Sequence, residues 1–242
     1  MRSWGMQSKS AAACGAAKGL NRRDVLAGGA ALVALSVLGC GLLGSQGARA
    51  AVVAADQRAD VVRHLLAAAA KEAIEILTKS EGFWNSSVAR VGLPDLFKSQ
   101  PSLSETQKSA LMYEQNRLAE EAVREVAPRA RAPIAKLEVP DTDEILNGSF
   151  TAATSYLRAQ VGMGLIEAMT PILVEILKKH DDSYTVKVVK SLPEVTLAQA
   201  AAAMAVEADN AIWYEVGVQE ASLRRDPEAS GDPLLIAAFG DA

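Results

Sequence analysis

Seven side chains are of types that can bind or position a polar group: Arg90, Asn116, Arg117, Glu120, Asn147, Arg158 and Glu220. An arginine fork matches the geometry of a carboxylate or phosphate. Asn and Glu can fix that fork or satisfy buried backbone groups. Asn116, Arg117, Glu120, Glu121 and Arg124 stand three or four residues apart, as pairs on one helix do. Those five read first as a solvated helix face. Arg117 and Glu120 joined to Arg90, Asn147, Arg158 and Glu220 read as a structural polar network or a small anion pocket, and of these two the network is favoured, because buried ion pairs often fix register.

Other chemistry has little to stand on. His64 and His180 are the two histidines. His64 has Asp60 four residues before it, a poor metal pair, and His180 precedes Asp181 and Asp182 where a helix should end. A cation there meets the helix dipole favourably. There is no nucleophile elbow, no phosphate-cradling glycine loop and no His-Glu zinc motif. No catalytic residue, metal or cofactor is expected. Trp84, Trp213 and Tyr214 read as core anchors whose polar tips need partners when buried.

The first fifth of the chain has a different character. Residues 1–23 hold Arg2, Lys9, Lys18, Arg22 and Arg23 and no acid. An uncharged Ala- and Gly-rich run follows from 27 to 43 and closes on Ala48-Arg49-Ala50. Basic region, twin arginine (Arg22, Arg23), apolar core and small-x-small site (Ala48, Ala50) are the parts of a twin-arginine export signal. The Ser- and Ala-rich leader before it suggests a plastid address in series. The expected destination is the chloroplast thylakoid lumen, with the bacterial periplasm as the alternative. Residues 1–50 form the cleaved presequence in this reading, and 51–242 a single helical domain.

Removing the presequence alters the charge. It carries six Lys or Arg and one acid, leaving 19 basic and 28 acidic residues and a net charge of −9. Both cysteines, Cys14 and Cys40, leave with it. Thiol catalysis and thiolate metal sites are thereby excluded from residues 51–242. The acidity disfavours a nucleic-acid partner, which needs a basic face.

The elements that must position the seven side chains are helical. Residues 56–79 place Val62, Leu65, Leu66, Ala69, Ala73, Ile76 and Leu77 on one face. Residues 82–101 read as a loop rich in apolar side chains, and so one packed onto the body. Ser104 with Gln107 is a capping-box pattern opening a helix to about residue 127, with Pro128 and Pro133 breaking it or starting the next one. Short helices are expected at 141–146, stopped by a left-handed Asn147-Gly148, and at 151–161. Residues 165–179 carry a strong apolar stripe that Pro171 should kink or restart. Residues 181–193 are ambiguous between a short helix and an irregular link. Residues 196–225 form the longest helix, with Thr196 as its cap, and the apolar tail docks back. The fold class is all-α, one helical bundle of about six to eight helices.

Several phrases resemble an uncharacterised secreted helical family, domain of unknown function 4197. Gly82-Phe83-Trp84-Asn85 with Arg90 and Pro94 is similar to its G-F-x-N…R-I-P segment, and Asn116-Arg117-Leu118-Ala119-Glu120 to its N-R-A-A-E helix. Ile145-Leu146-Asn147-Gly148 and Ala152-Ala153-Thr154-Ser155-Tyr156-Leu157-Arg158 resemble its I-L-N-G…A-A-T-x-Y-[FL]-R stretch. Glu220, Leu223-Arg224 and Pro227 follow its E-x-x-I-R-x-x-P run. Ser149-Phe150 replaces a usual Gly-Asp, and Ala159 a common basic residue. The resemblance implies a helical fold and export, and no activity. The expected function is a non-catalytic lumenal protein acting as interaction or assembly partner of a thylakoid membrane complex. The alternative is a module binding a small apolar or anionic ligand between its helices.

Overall fold

The computed structural model describes residues 53–131 and 133–240, with the side chains of Ala130 and Arg131 left aside. The presequence residues Arg22, Arg23, Ala48 and Ala50 lie outside the described residues. Helix α1 (Arg58–Leu77) follows a single 3-10 turn and buries Val61, Val62, Leu65, Leu66, Ala69, Ala73 and Leu77. The segment expected as a loop contains two one-turn helices, α2 (Gly82–Asn85) and α3 (Asp95–Lys98). Its Phe83, Val91, Leu93 and Phe97 are buried, as its apolar content demands.

Helix α4 (Glu105–Arg131) opens at the expected capping box: the Ser104 N–H donates to Gln107 Oε1 at 2.9 Å, and the Gln107 N–H to Ser104 Oγ at 3.3 Å. It does not stop at residue 127 but runs one turn past Pro128. Proline removes one bond, to the carbonyl four residues back. That carbonyl belongs to Arg124, which, like Pro128, is on the exposed face where solvent can replace the lost donor.

Helix α5 (Thr142–Leu146) ends without a left-handed residue. Asn147 has φ −94°, and its side chain donates to the Asp143 carbonyl at 2.9 Å. Gly148 is needed for space instead, since a Cβ there would lie 2.6 Å from the Glu144 carbonyl oxygen. Helices α6 (Ala152–Val161) and α7 (Gly164–Lys179) meet at a 67° bend around Gly162. Pro171 sits inside an unbroken α7, again on an exposed position. Among the described residues no single helix is long and apolar enough to cross a membrane.

The ambiguous 181–193 stretch holds helix α8 (Tyr184–Ser191). Its β-branched residues are overruled by capping. Ser183 Oγ accepts from the Val186 N–H, and the Glu114 carboxylate from those of Tyr184 and Thr185. Helix α9 (Leu197–Arg225) carries the complete Thr196–Gln199 capping box. A 3-10 turn and α10 (Pro233–Phe239) follow. Ten α-helices among the described residues exceed the expected six to eight because of the one-turn elements.

Helix α9 is the central element, packed against α1 and α7, while α7 also packs on α4. Alanines 201, 205, 208 and 211 let its neighbours approach closely. A smaller apolar cluster, with Phe97, Leu111 and Val189, joins α3, α4 and α8. His64, whose one carboxylate at helical spacing is Asp60, meets Asp232 from the far end of the chain at 2.7 Å. Burial alone would raise the Asp232 carboxyl, but the His64 ring and the Leu234 amide outweigh it and hold it low.

Candidate functional site

The seven candidate side chains divide into three groups. The first binds α9 to the turn between α5 and α6. Glu220, fully buried, accepts from the N–H groups of Ala153 (3.0 Å) and Thr154 (2.7 Å). Those are orphan donors of the first turn of α6, whose own N-cap, Thr151, makes no side-chain cap bond. The carboxylate also meets the positive end of that helix. Gly217 lets the two helices close up, since a Cβ there would press to 3.3 Å from Thr151 Cγ2.

One turn further along, Arg224 pairs with Glu220 at 2.9 Å and donates to the carbonyls of Leu146 (2.9 Å) and Ile145 (3.0 Å). It thus closes the C-terminus of α5 while Glu220 closes the N-terminus of α6. Asn147 is exposed in the turn between them. Phe150, standing where the resembled pattern has an acid, lies under the Arg225 guanidinium at 4.7 Å.

The second group fastens the 82–101 segment onto α4. Asn116 is fully buried. Its Oδ1 accepts from the Val91 N–H at 2.9 Å, and its Nδ2 donates to the carbonyls of Val91 (2.9 Å) and Met112 (2.8 Å). Arg90 donates to the Trp84 carbonyl at 2.7 Å and stacks on the Trp84 ring at 4.6 Å. Trp84 in turn meets Tyr113 edge-on, and the Tyr113 hydroxyl donates to Glu81. That bond raises the Tyr113 phenol. Glu81 itself is the one described non-glycine residue with positive φ, at 57°.

Glu120 is buried, and burial pushes its carboxyl up. Its Oε1 has no hydrogen-bond partner among the described residues, and Arg124 stands 3.7 Å from Oε2. Arg117 is exposed and acts on Glu120 and Tyr113 through its charge.

The third group is Arg158, which donates to Asn210 at 2.6 Å and Asp209 at 3.2 Å. Asp209 also accepts from the Trp213 indole at 2.9 Å. Burial nonetheless raises its carboxyl. Among the described residues no hydrogen bond joins one of the seven side chains directly to another; within a group they meet through backbone groups and through other side chains.

None of the seven lines the best-formed apolar cavity. That cavity, about 350 Å³, lies between α1, α4, α6, α7 and α9. Its deep walls are apolar: Ile74, Val126, Leu157, Leu165, Ile212 and Trp213 among them. Arg158 reaches it only through Asp209, which holds the Trp213 ring in the wall. Ordinary apolar residues from five helices gave no signal of it. Asp209 and Trp213, four residues apart, and Glu220 and Arg224, likewise, were the spacings that could have revealed the buried pairs.

What the arrangement offers chemically is fixed hydrogen-bond donors and acceptors beside an apolar space. Among the described residues no three His, Asp or Glu side chains gather to hold a metal ion. The buried carboxylates are committed, Glu220 to backbone amides and arginine, Asp209 to arginine and an indole, and Glu215 to the Ser86 hydroxyl and the Gln219 amide; Glu120 alone among them keeps an oxygen without a partner among the described residues. No curated protein and no solved structure matches the chain. Residues 53–240 match the model of the family described as protein of unknown function (DUF4197), and the chain belongs to that family.

Proposed function

We propose that this protein is a non-catalytic helical binding protein that holds a small apolar molecule in the cavity between its helices. The cavity carries the reading. Its volume is within the roughly 300–1,000 Å³ of small-molecule sites, and an apolar lining with a few polar groups is what such sites use. A void of this kind forfeits dispersion contacts that an apolar guest would restore.

The test is native mass spectrometry of protein purified from its own source, together with titration of a neutral fluorescent apolar probe. The reading expects a co-purifying small mass and probe uptake that Ala168→Phe, whose ring intrudes on the cavity, reduces. Equal uptake by the two forms would sink it.

The site of action proposed is an exported compartment. The acid-free leader, Arg22-Arg23 and the Ala48-x-Ala50 site support a twin-arginine route to the thylakoid lumen, or to the bacterial periplasm. Cell fractionation with sequencing of the mature N-terminus decides between them; a chain retaining Met1 in the cytosol defeats both. A second reading, an assembly partner of a membrane complex, is favoured by exposed Tyr214 and Val218, one turn apart on α9. Pull-down from membranes with no enriched partner would count against it.

A further inference from the structure

The cavity has a polarity along its depth. The members that reach the surface are Arg129, Pro133, Gln160 and Gly164. The mouth therefore lies between the end of α4 and the α6–α7 bend. Behind it the lining is hydrocarbon and aromatic. Trp213 offers only its ring, because its Nε1–H is already given to Asp209. Among the described residues the charged or amide side chains lining it are two, Arg129 and Gln160, and both stand at the lip. The ion-paired acids of α4 are turned elsewhere, Glu105 to Lys108, Glu120 to Arg124 and Glu121 to Lys179 and His180. No carboxylate among the described residues pairs with Arg129.

We propose that the occupant is an amphiphile bearing a single carboxylate, its apolar body inside and its head at the mouth on Arg129, with the Gln160 amide as second donor. The assignment rests on the binding reading above and adds the chemical class. Among the described side chains one guanidinium lines the mouth and balances one negative charge, and its fork fits a carboxylate through two parallel bonds. A phosphate monoester carries about −1.5 to −2 at neutral pH and would leave charge uncompensated. The exposed lip keeps the head partly hydrated, which avoids the desolvation cost of a buried ion. The volume is at the lower end of ligand sites, which suits a medium-length or compact body better than a two-chain lipid.

The experiment is competition on the full chain. N-phenyl-1-naphthylamine, a neutral probe, is bound at pH 8 and displaced by decanoate, decanol or decyl phosphate. Decanoate is expected to displace it at about three- to fivefold lower concentration than decanol, the gain of an exposed charge pair. Arg129→Gln should close that gap while leaving decanol unchanged, and salt should narrow it in the wild type. Equal potency of acid and alcohol, a gap that survives in Arg129→Gln, or decyl phosphate as the strongest competitor overturns the carboxylate assignment and leaves the cavity reading intact. Probe uptake no greater in the wild type than in Ala168→Phe overturns the cavity reading, and the assignment with it.

Discussion

Glu220 and Arg224, one turn apart on α9, close the facing ends of two other helices at once. The carboxylate takes the first amides of α6, and the guanidinium takes the last carbonyls of α5. Both side chains are buried, and among the described residues each is the other's only ion-pair partner. Glu220→Gln leaves Arg224 charged and unpaired, and is expected to cost about 3–5 kcal/mol in urea unfolding. Glu220→Gln with Arg224→Met should cost less than the two single changes added together, because the second change removes the stranded charge. Additive costs would show that the pair does not act as a unit.

Asn116 does for Val91 what a neighbouring strand would do, taking its N–H and supplying its carbonyl. Asn116→Leu keeps the volume and orphans both groups. At roughly 1–3 kcal/mol for each buried unsatisfied group, the expected loss is about 2–4 kcal/mol. Amide exchange at Val91 should accelerate beyond that of the α4 core. A loss under about 0.5 kcal/mol, the scale of a surface substitution, would mean that water re-satisfies Val91.

Features that depend on four consecutive residues were legible in the sequence. The capping box at Ser104–Gln107 and the Thr196 cap form as spacing requires, and Gln199, which completes a second box with Thr196, shares its turn. The helical class follows from the same local periodicity. Partners set by the return of the chain were not legible. His64 finds Asp232, 168 positions away, and Glu114 caps α8 from 70 positions away. Glu220 was visible as a candidate, but its role needs the α5–α6 turn brought against α9. The cavity left no trace because its lining residues are the same types that fill a solid core.

Asp209 makes a pH prediction whose sign can be worked out. Burial raises its carboxyl in the folded state, against the pull of Trp213 and Arg158. The folded protein then binds a proton more readily than the unfolded chain, so this group costs stability above its folded pKa. The cost is relieved as pH falls toward the unfolded carboxylate value, about 3.9. Glu121 and Asp232 are shifted the opposite way, so the whole-protein profile mixes signs. The comparison with Asp209→Asn isolates the group. The stability of wild type relative to that variant should increase between pH 7 and pH 4 and level off below. A decrease over the same range would mean that the Arg158 pair, not burial, governs Asp209.

Cavity occupancy and stability should respond in opposite directions to the same substitution. Ala168 lines the cavity from α7 and is half-buried. Leucine there extends into empty space, and its helix propensity is close to that of alanine. Ala168→Leu is therefore expected to raise unfolding stability by about 0.5–2 kcal/mol, as cavity-filling changes do. Probe affinity should fall in the same protein. Ile74→Val, which enlarges the cavity by one methylene, should cost about 0.5–1.5 kcal/mol and keep the probe. Ligand present at a hundredfold over its Kd would add about 2.7 kcal/mol to the wild type and little to Ala168→Leu. Thermal melts with and without decanoate measure both effects. A destabilised Ala168→Leu that still binds probe would mean that the apolar space closes in solution and that the probe sits elsewhere.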